Sequence, residues 1–365
     1  MNIIDLFSQN KIIQTWHSDV ANLGRQLIMG LSGSSRALAI ASAYQANEEK
    51  IVVITSTQNE VEKLASDLSS LIGEDKVYTF FADDVAAAEF IFASMDKAHS
   101  RLEVLNFLQD NKQSGILITS LVGARVLLPN PEIYAESQLN FVVGEDYNID
   151  KVVKVLSNVG YQKVSQVRNP GEFSRRGDIV DIYEMTADYP YRLEFFGDEV
   201  DGIRQFDAET QKSLSNIEQV TISPADELIL SEEDFARASK AFETFLETAK
   251  DEQQAYLSEL YAATQEQYKH QDIRRFLSLF YAKEWTLLDY IPKGTPVFFD
   301  DFQKLVDRNA KFDLEVANLL TKDLQRGKAV SSLVYFADIY KDLRQYQPAT
   351  FFSNFHKGLG NLKFD

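Results

Sequence analysis

Strand-like runs separated by helix-like segments recur through the first 120 residues, and this alternation constrains the fold more than any other feature. Gln26-Leu27-Ile28-Met29 is a short apolar run that ends in a Gly/Ser turn from Gly30 to Ser35, followed by an Ala-rich segment from Arg36 to Gln45. The β-branched run Ile51 to Thr55 comes next, then a segment from Asn59 to Leu71 that places Val61, Leu64, Ala65 and Leu68 on one helical face. Lys76 to Phe81 and Gly115 to Thr119 read as a third and a fourth strand. A β-α-β succession of this kind implies a parallel sheet covered by helices.

From Gln138 the texture changes. Leu139 to Val143, Gly177 to Tyr183, Tyr191 to Phe196 and Val200 to Phe206 read as strands joined by short turns, with one helix near Asp150 to Val159. This is the pattern of an antiparallel α+β domain. From Ser231 the chain reads as helical again, with Ser231-Glu232-Glu233-Asp234 as a cap and acidic first turn. One further strand, Pro296 to Phe299, ends at Asp300-Asp301.

Charge narrows the function. Thirty-seven basic residues against 55 acidic ones give a net charge of -18. Such a surface repels phosphate backbones, whose binding leans on Lys and Arg, so the balance argues for protein partners. The absence of cysteine excludes disulfides and thiolate metal sites and suits a reducing cytoplasm. No apolar stretch is long enough to span a membrane, and the start Met1-Asn2-Ile3-Ile4-Asp5 does not read as a secretory signal. His17, His99, His270 and His356 are scattered without ligand spacing, so neither a metal nor a cofactor is expected.

Three motifs remain. The first, Gly30-Leu31-Ser32-Gly33-Ser34-Ser35-Arg36-Ala37, lies between a strand and a helix, where a phosphate-binding P-loop belongs. A working loop has Gly, Lys and a hydroxyl residue where this chain has Ser35, Arg36 and Ala37. Ala37 cannot ligate magnesium, the Cβ of Ser35 restricts close backbone approach, and Arg36 puts a planar fork where a compact ammonium is needed. The second, Phe298-Phe299-Asp300-Asp301, is an apolar strand ending in acids, the way such enzymes present a metal-binding Asp. Beside the altered loop it reads as the other half of a lost site.

The third comprises Gly171-Glu172-Phe173-Ser174-Arg175-Arg176-Gly177-Asp178 and Tyr191-Arg192-Leu193-Glu194-Phe195-Phe196-Gly197-Asp198-Glu199. Strand alternation sets Arg192, Glu194 and Phe196 on one face and Leu193 and Phe195 on the other. With Leu193 and Phe195 in the core, Phe196 and Arg192 share the exposed face, and Arg with an aromatic is common hot-spot chemistry. A Phe that shields a hairpin gives the same pattern, and pattern alone does not choose between the two.

These regions, in this order, resemble the N-terminal part of the bacterial transcription-repair coupling factor (Mfd) family, which is itself similar to the excision-repair helicase UvrB. Residues 171–183 and 191–207 carry the specific matches, and the segment Thr286 to Pro292 before Asp300-Asp301 looks like the approach to UvrB's Walker B motif. The resemblance implies a degenerate P-loop, helicase-like parallel-sheet domain split in sequence, with an antiparallel α+β domain inserted. Residues 1–123 would form its first part, 124–225 the inserted domain that binds the repair protein UvrA, and 226–345 the return segment. Residues 346–365 would begin a connector.

It further implies that Arg176, Arg192 and Phe196 contact UvrA, with Arg175, Glu172 and Glu199 as neighbours. In a full-length protein, an ATP-dependent DNA translocase, C-terminal domains would mask this surface and others would engage DNA and RNA polymerase. This chain itself would be no enzyme. The alternative is a UvrB-type DNA-dependent ATPase fragment acting in damage verification. The altered loop disfavours it, as does the lack of tyrosines in Ala82 to Phe90, where UvrB carries a tyrosine-rich hairpin. That stretch also departs from the coupling-factor pattern.

Overall fold

The computed structural model describes residues 3–20, 24–82, 95–353 and 362–363. Its first strands are β1 (Arg25–Met29), β2 (Ile51–Thr55), β3 (Val77–Phe80) and β4 (Ile116–Ser120). Then come β5 (Leu139–Val142), β6 (Gln162–Lys163), β7 (Glu172–Arg176), β8 (Ile179–Ile182), β9 (Tyr191–Phe196), β10 (Glu199–Phe206), β11 (Ser213–Ile217) and β12 (Gln219–Ile222). The last are β13 (Val297–Asp300), β14 (Ala349–Ser353) and β15 (Leu362–Lys363). The chain forms two compact units: Met1–Ala93 with Phe107–Leu128 and Ser231–Asp365, and Ser94–Asn106 with Pro129–Leu230.

The first unit holds a seven-stranded sheet in the order β15-β1-β14-β13-β2-β4-β3. Every pairing in it is parallel. All five residues of β2 and of β4 are buried, as expected for parallel strands covered on both faces. Trp16 packs against Phe298 and Phe352 on one side of the sheet, and Phe299 stacks on Phe351 at 4.8 Å on the other. The Trp16 indole also donates to Thr350 Oγ1 at 3.3 Å.

One expectation is corrected here. Residues 349–353 do not begin a connector but form β14, a buried strand hydrogen-bonded between β1 and β13. Its apolar pair Phe351-Phe352 completes the core, and nothing local to the segment marks it as central.

Two helix starts follow from their caps. Ser231 Oγ accepts from the Asp234 amide at 3.2 Å while the Asp234 carboxylate accepts from the Ser231 amide at 2.9 Å. Thr57 and Glu60 form the same reciprocal pair at the helix Gln58–Ile72.

The second unit holds a six-stranded sheet, β11-β10-β9-β8-β7-β6, and a separate pair, β12-β5. The larger sheet is antiparallel except for its edge pairing of β6 with β7. The amphipathic helix Ile149–Asn158 lays Ile149, Val152 and Leu156 over Phe173, Leu193, Phe195 and Val200. One face of the sheet is thereby dry, and the side chains on the other are left to interact among themselves.

Glu184, just beyond β8, is buried at 4% exposure. Its Oε2 accepts from the Thr186 amide and hydroxyl at 2.6 and 2.8 Å, while Oε1 has no partner. Burial pushes its carboxyl above the usual value despite the opposing bonds from Thr186. An acid raised in the fold binds protons on folding, so its charge costs stability as pH rises through the interval above the ordinary carboxylate value. Glu184→Gln keeps both Thr186 bonds and is expected to stabilise the chain at pH 7 but not at pH 4. Paired thermal melts at the two pH values check this, and equal gains at both would contradict it.

Candidate docking surface

The open face of the six-stranded sheet is set by register. Ser174, Asp181, Arg192 and Arg204 stand opposite one another across β7 to β10, and Arg176, Ile179, Glu194 and Gly202 form the next row. Phe196 and Glu199 face each other at the end, across a turn in which Gly197 has φ 68°. That turn needs a residue free of Cβ strain at positive φ, and glycine supplies it. Leu193 and Phe195 point into the core, at 0% and 7% exposure, as the alternation of β9 required.

Asp181 is the hub of this face and was not singled out from the sequence. It is wholly buried, yet it receives two guanidinium groups. Arg192 donates from Nε to Oδ1 at 2.7 Å and from Nη2 to Oδ2 at 3.0 Å, and Arg176 donates from Nη2 to Oδ2 at 2.7 Å. Arg192 also lies over the Phe206 ring at 4.4 Å. The hydrogen bonds to Asp181 push the Arg192 pKa above its usual value.

The two arginines are consequently unequal. Arg176 keeps 51% of its side chain exposed, whereas Arg192 keeps 15%. The expectation of an openly exposed Arg192 is thus corrected: it stands on the open face, but Asp181 and Phe206 cover most of it. Phe196 is 82% exposed, the most exposed large apolar side chain among the described residues. It sits four residues along β9 from Arg192, about 13 Å away at the strand rise. Glu194 and Arg204 form a further ion pair in between at 2.8 Å.

The neighbours divide. Glu199 is exposed beside Phe196. Glu172 is turned to a local task, accepting from the Arg168 and Asn169 amides at 2.8 and 2.9 Å and from Asn169 Nδ2 at 3.0 Å. Burial raises its carboxyl, but these bonds together outweigh that and hold it below the usual value. Arg175 has the parity of Phe173 and pairs with Asp150 on the helix Ile149–Asn158. It therefore belongs to the helix-covered side rather than to the face of Arg176 and Phe196.

The other candidate region lies in the first unit. Gly30 and Gly33 take positive φ, and the helix begins at Ser34, so Ser35, Arg36 and Ala37 form its first turn rather than the end of the loop. Ser35 Oγ donates to the Ser32 carbonyl at 2.7 Å and accepts from the Ser32 amide at 2.9 Å, tying the loop to itself. Arg36 Nε donates to the Leu31 carbonyl at 3.0 Å, and its Nη1 donates to Asp300 Oδ1 at the end of β13. Burial pushes the Asp300 carboxyl up, against the nearby Arg36 charge. Asp301, buried with φ 60°, precedes the long helix Phe302–Gln325 and lies 3.9 Å from Lys304. Of the stretch Ala82 to Phe90, residues 83–90 lie outside the described residues. Among the described residues no cluster of acids and histidines could hold a metal, and no helix is long and apolar enough to cross a membrane.

Residues 139–228, which include the six-stranded sheet, match the sequence family described as the UvrB interaction domain. Similarity to known proteins extends on both sides of this stretch. Over 343 residues the chain is 31% identical to the transcription-repair-coupling factor of Bacillus subtilis (strain 168), covering 91% of this chain and 29% of that protein. The corresponding factor of Staphylococcus aureus (strain bovine RF122 / ET3-1) is 30% identical over 339 residues, and that of Staphylococcus haemolyticus (strain JCSC1435) 30% over 338. The similarity is to the N-terminal region of these factors, and the chain spans 29% of their length.

Proposed function

We propose that this chain is a non-catalytic docking module of a transcription-repair coupling protein, and that its UvrB interaction domain recruits the excision-repair protein UvrA to stalled RNA polymerase. The observation that carries the reading is Phe196, almost fully exposed on the sheet face that also carries the half-exposed Arg176 and that the covering helix leaves open. Leaving such a ring in water forgoes roughly 1.5–3 kcal/mol that burial would contribute, a gain available to a partner. Arg176 adds guanidinium donors not engaged by Asp181, so the face offers one apolar anchor and one charged fork. Arg192 acts through Asp181, holding the face in shape, and contributes less direct contact. Glu199, beside Phe196, sits at the rim.

The first unit acts in this reading as a degenerate P-loop domain. Met1–Ala93, Phe107–Leu128 and Ser231–Asp365 make up this domain, with the inserted one at Pro129–Leu230. Ser35 ties up the loop amide of Ser32, and Arg36 occupies Asp300, the acid that would otherwise serve a metal. RNA polymerase and DNA would be engaged by other parts of the full-length protein, whose C-terminal domains would mask the Phe196 face until needed.

Titration of the chain with purified UvrA tests the site. Phe196→Ala and Arg176→Glu are each expected to cost about 2 kcal/mol or more, roughly a 30-fold loss of affinity. Phe196→Ala should change the unfolding free energy by no more than about 0.5 kcal/mol, because the ring is exposed, whereas Arg176→Glu sets a second carboxylate against Asp181 and is read beside its own unfolding curve. Losses below about twofold for both would remove the assignment, and magnesium-dependent ATP turnover by the unmodified chain would remove the non-catalytic part.

A further inference from the structure

On a chain carrying 55 acids against 37 bases, cations that find no carboxylate stand out. Arg25, at the start of β1, and the helix Tyr340–Gln345 enclose an open cleft of about 300 Å³ lined by Arg25, Tyr340, Lys341, Arg344 and Gln345. Among the described residues none of its three cations is engaged in an ion pair. Most arginines elsewhere in the fold are so engaged, among them Arg36, Arg101, Arg125, Arg175, Arg176, Arg192 and Arg275. Asp342, the acid of that helix, is not among the lining residues.

The two guanidinium groups are held from beneath. Arg25 lies over the Phe351 ring at 4.8 Å and Arg344 over the Tyr340 ring at 5.7 Å. Aromatic stacking orients each fork and leaves its N–H edges to a ligand. Three like charges with no lining acid repel one another, and an anion in the cleft would relieve that repulsion. Paired forks and an ammonium match the oxygens of a phosphate better than a single carboxylate, which one fork satisfies. The size of the cleft limits the ligand, and an extended polyanion would run out over a surface whose net charge is -18.

We propose that the cleft formed by Arg25, Lys341 and Arg344 binds a compact phosphate-bearing anion, separately from the closed Gly30–Ala37 loop. Calorimetric titration of the full chain with inorganic pyrophosphate at low ionic strength tests this. One saturable site is expected, weakening as salt is added and at least tenfold weaker in Arg25→Ala/Arg344→Ala, about 1.4 kcal/mol. Arg344→Ala alone, at an exposed side chain, should show the same direction of change should the double variant fold poorly. Lys240→Ala, elsewhere on the surface, should bind as the unmodified chain does.

No saturable uptake at millimolar pyrophosphate would overturn the proposal, as would undiminished binding in the Arg344 variant. So would a short single-stranded oligonucleotide that binds at this cleft more tightly than pyrophosphate, since the site would then be a strand-binding surface.

Discussion

Replacing Asp181 with alanine is expected to destabilise the antiparallel-sheet unit by about 3–5 kcal/mol, because it strands a largely covered guanidinium without its counter-charge. Arg192 is 85% covered by its surroundings (15% exposed), and Asp181 is wholly buried. The carboxylate accepts three hydrogen bonds at 2.7, 2.7 and 3.0 Å from the two arginines. Removing one member of such a group costs far more than the pair contributes when intact. Asp181→Ala combined with Arg192→Met should accordingly recover much of the loss, since a methionine can lie on Phe206 without a charge to satisfy. Urea unfolding of the unmodified chain and these two variants measures this. A loss below about 1 kcal/mol for Asp181→Ala would show that water already compensates Arg192. The result also bears on binding experiments. Substitutions at Arg192, and in part at Arg176, are expected to weaken UvrA binding by loosening the face, whereas Phe196 reports contact directly.

The alternation Arg192, Leu193, Glu194, Phe195, Phe196 is a local pattern, and by itself it separates the core positions Leu193 and Phe195 from the exposed ring of Phe196. What the strand could not disclose is that Arg192 is covered. Its partner Asp181 lies on β8 and its stacking surface Phe206 at the end of β10, and only the register brings them together. Arg175 and Arg176 show the same limit. They are adjacent in sequence, yet the pleat sends one to the helix side and the other to the open face. β14 was illegible for a related reason: Ala349 to Ser353 carries no strand pattern stronger than many loops, and its burial comes from neighbours more than 300 positions earlier in β1 and about 50 earlier in β13. The cationic cleft likewise joins residue 25 to residues 341 and 344. Caps, by contrast, are contained within four residues, and the one at Ser231 formed where the sequence placed it.

The second large effect is expected at Arg36. Its guanidinium and the Asp300 carboxylate are 11% and 15% exposed, and they join segments 264 positions apart, the helix after β1 and the end of β13. Arg36→Ala should cost about 3–5 kcal/mol at neutral pH by leaving Asp300 charged and buried, with the Leu31 carbonyl losing its donor as well. The pH dependence gives this a distinct signature. Burial already raises the Asp300 carboxyl, and losing Arg36 removes the nearest opposing charge, so its pKa should rise further. A raised acid penalises the fold above the ordinary carboxylate value and ceases to do so once protonated. The deficit of Arg36→Ala should therefore be largest near pH 7 and shrink as pH falls toward 4. Thermal melts of the variant and the unmodified chain across that range read it out. A deficit that is flat with pH would mean that Asp300 is not the group left uncompensated, and that the loop is held closed by Ser35 and packing alone.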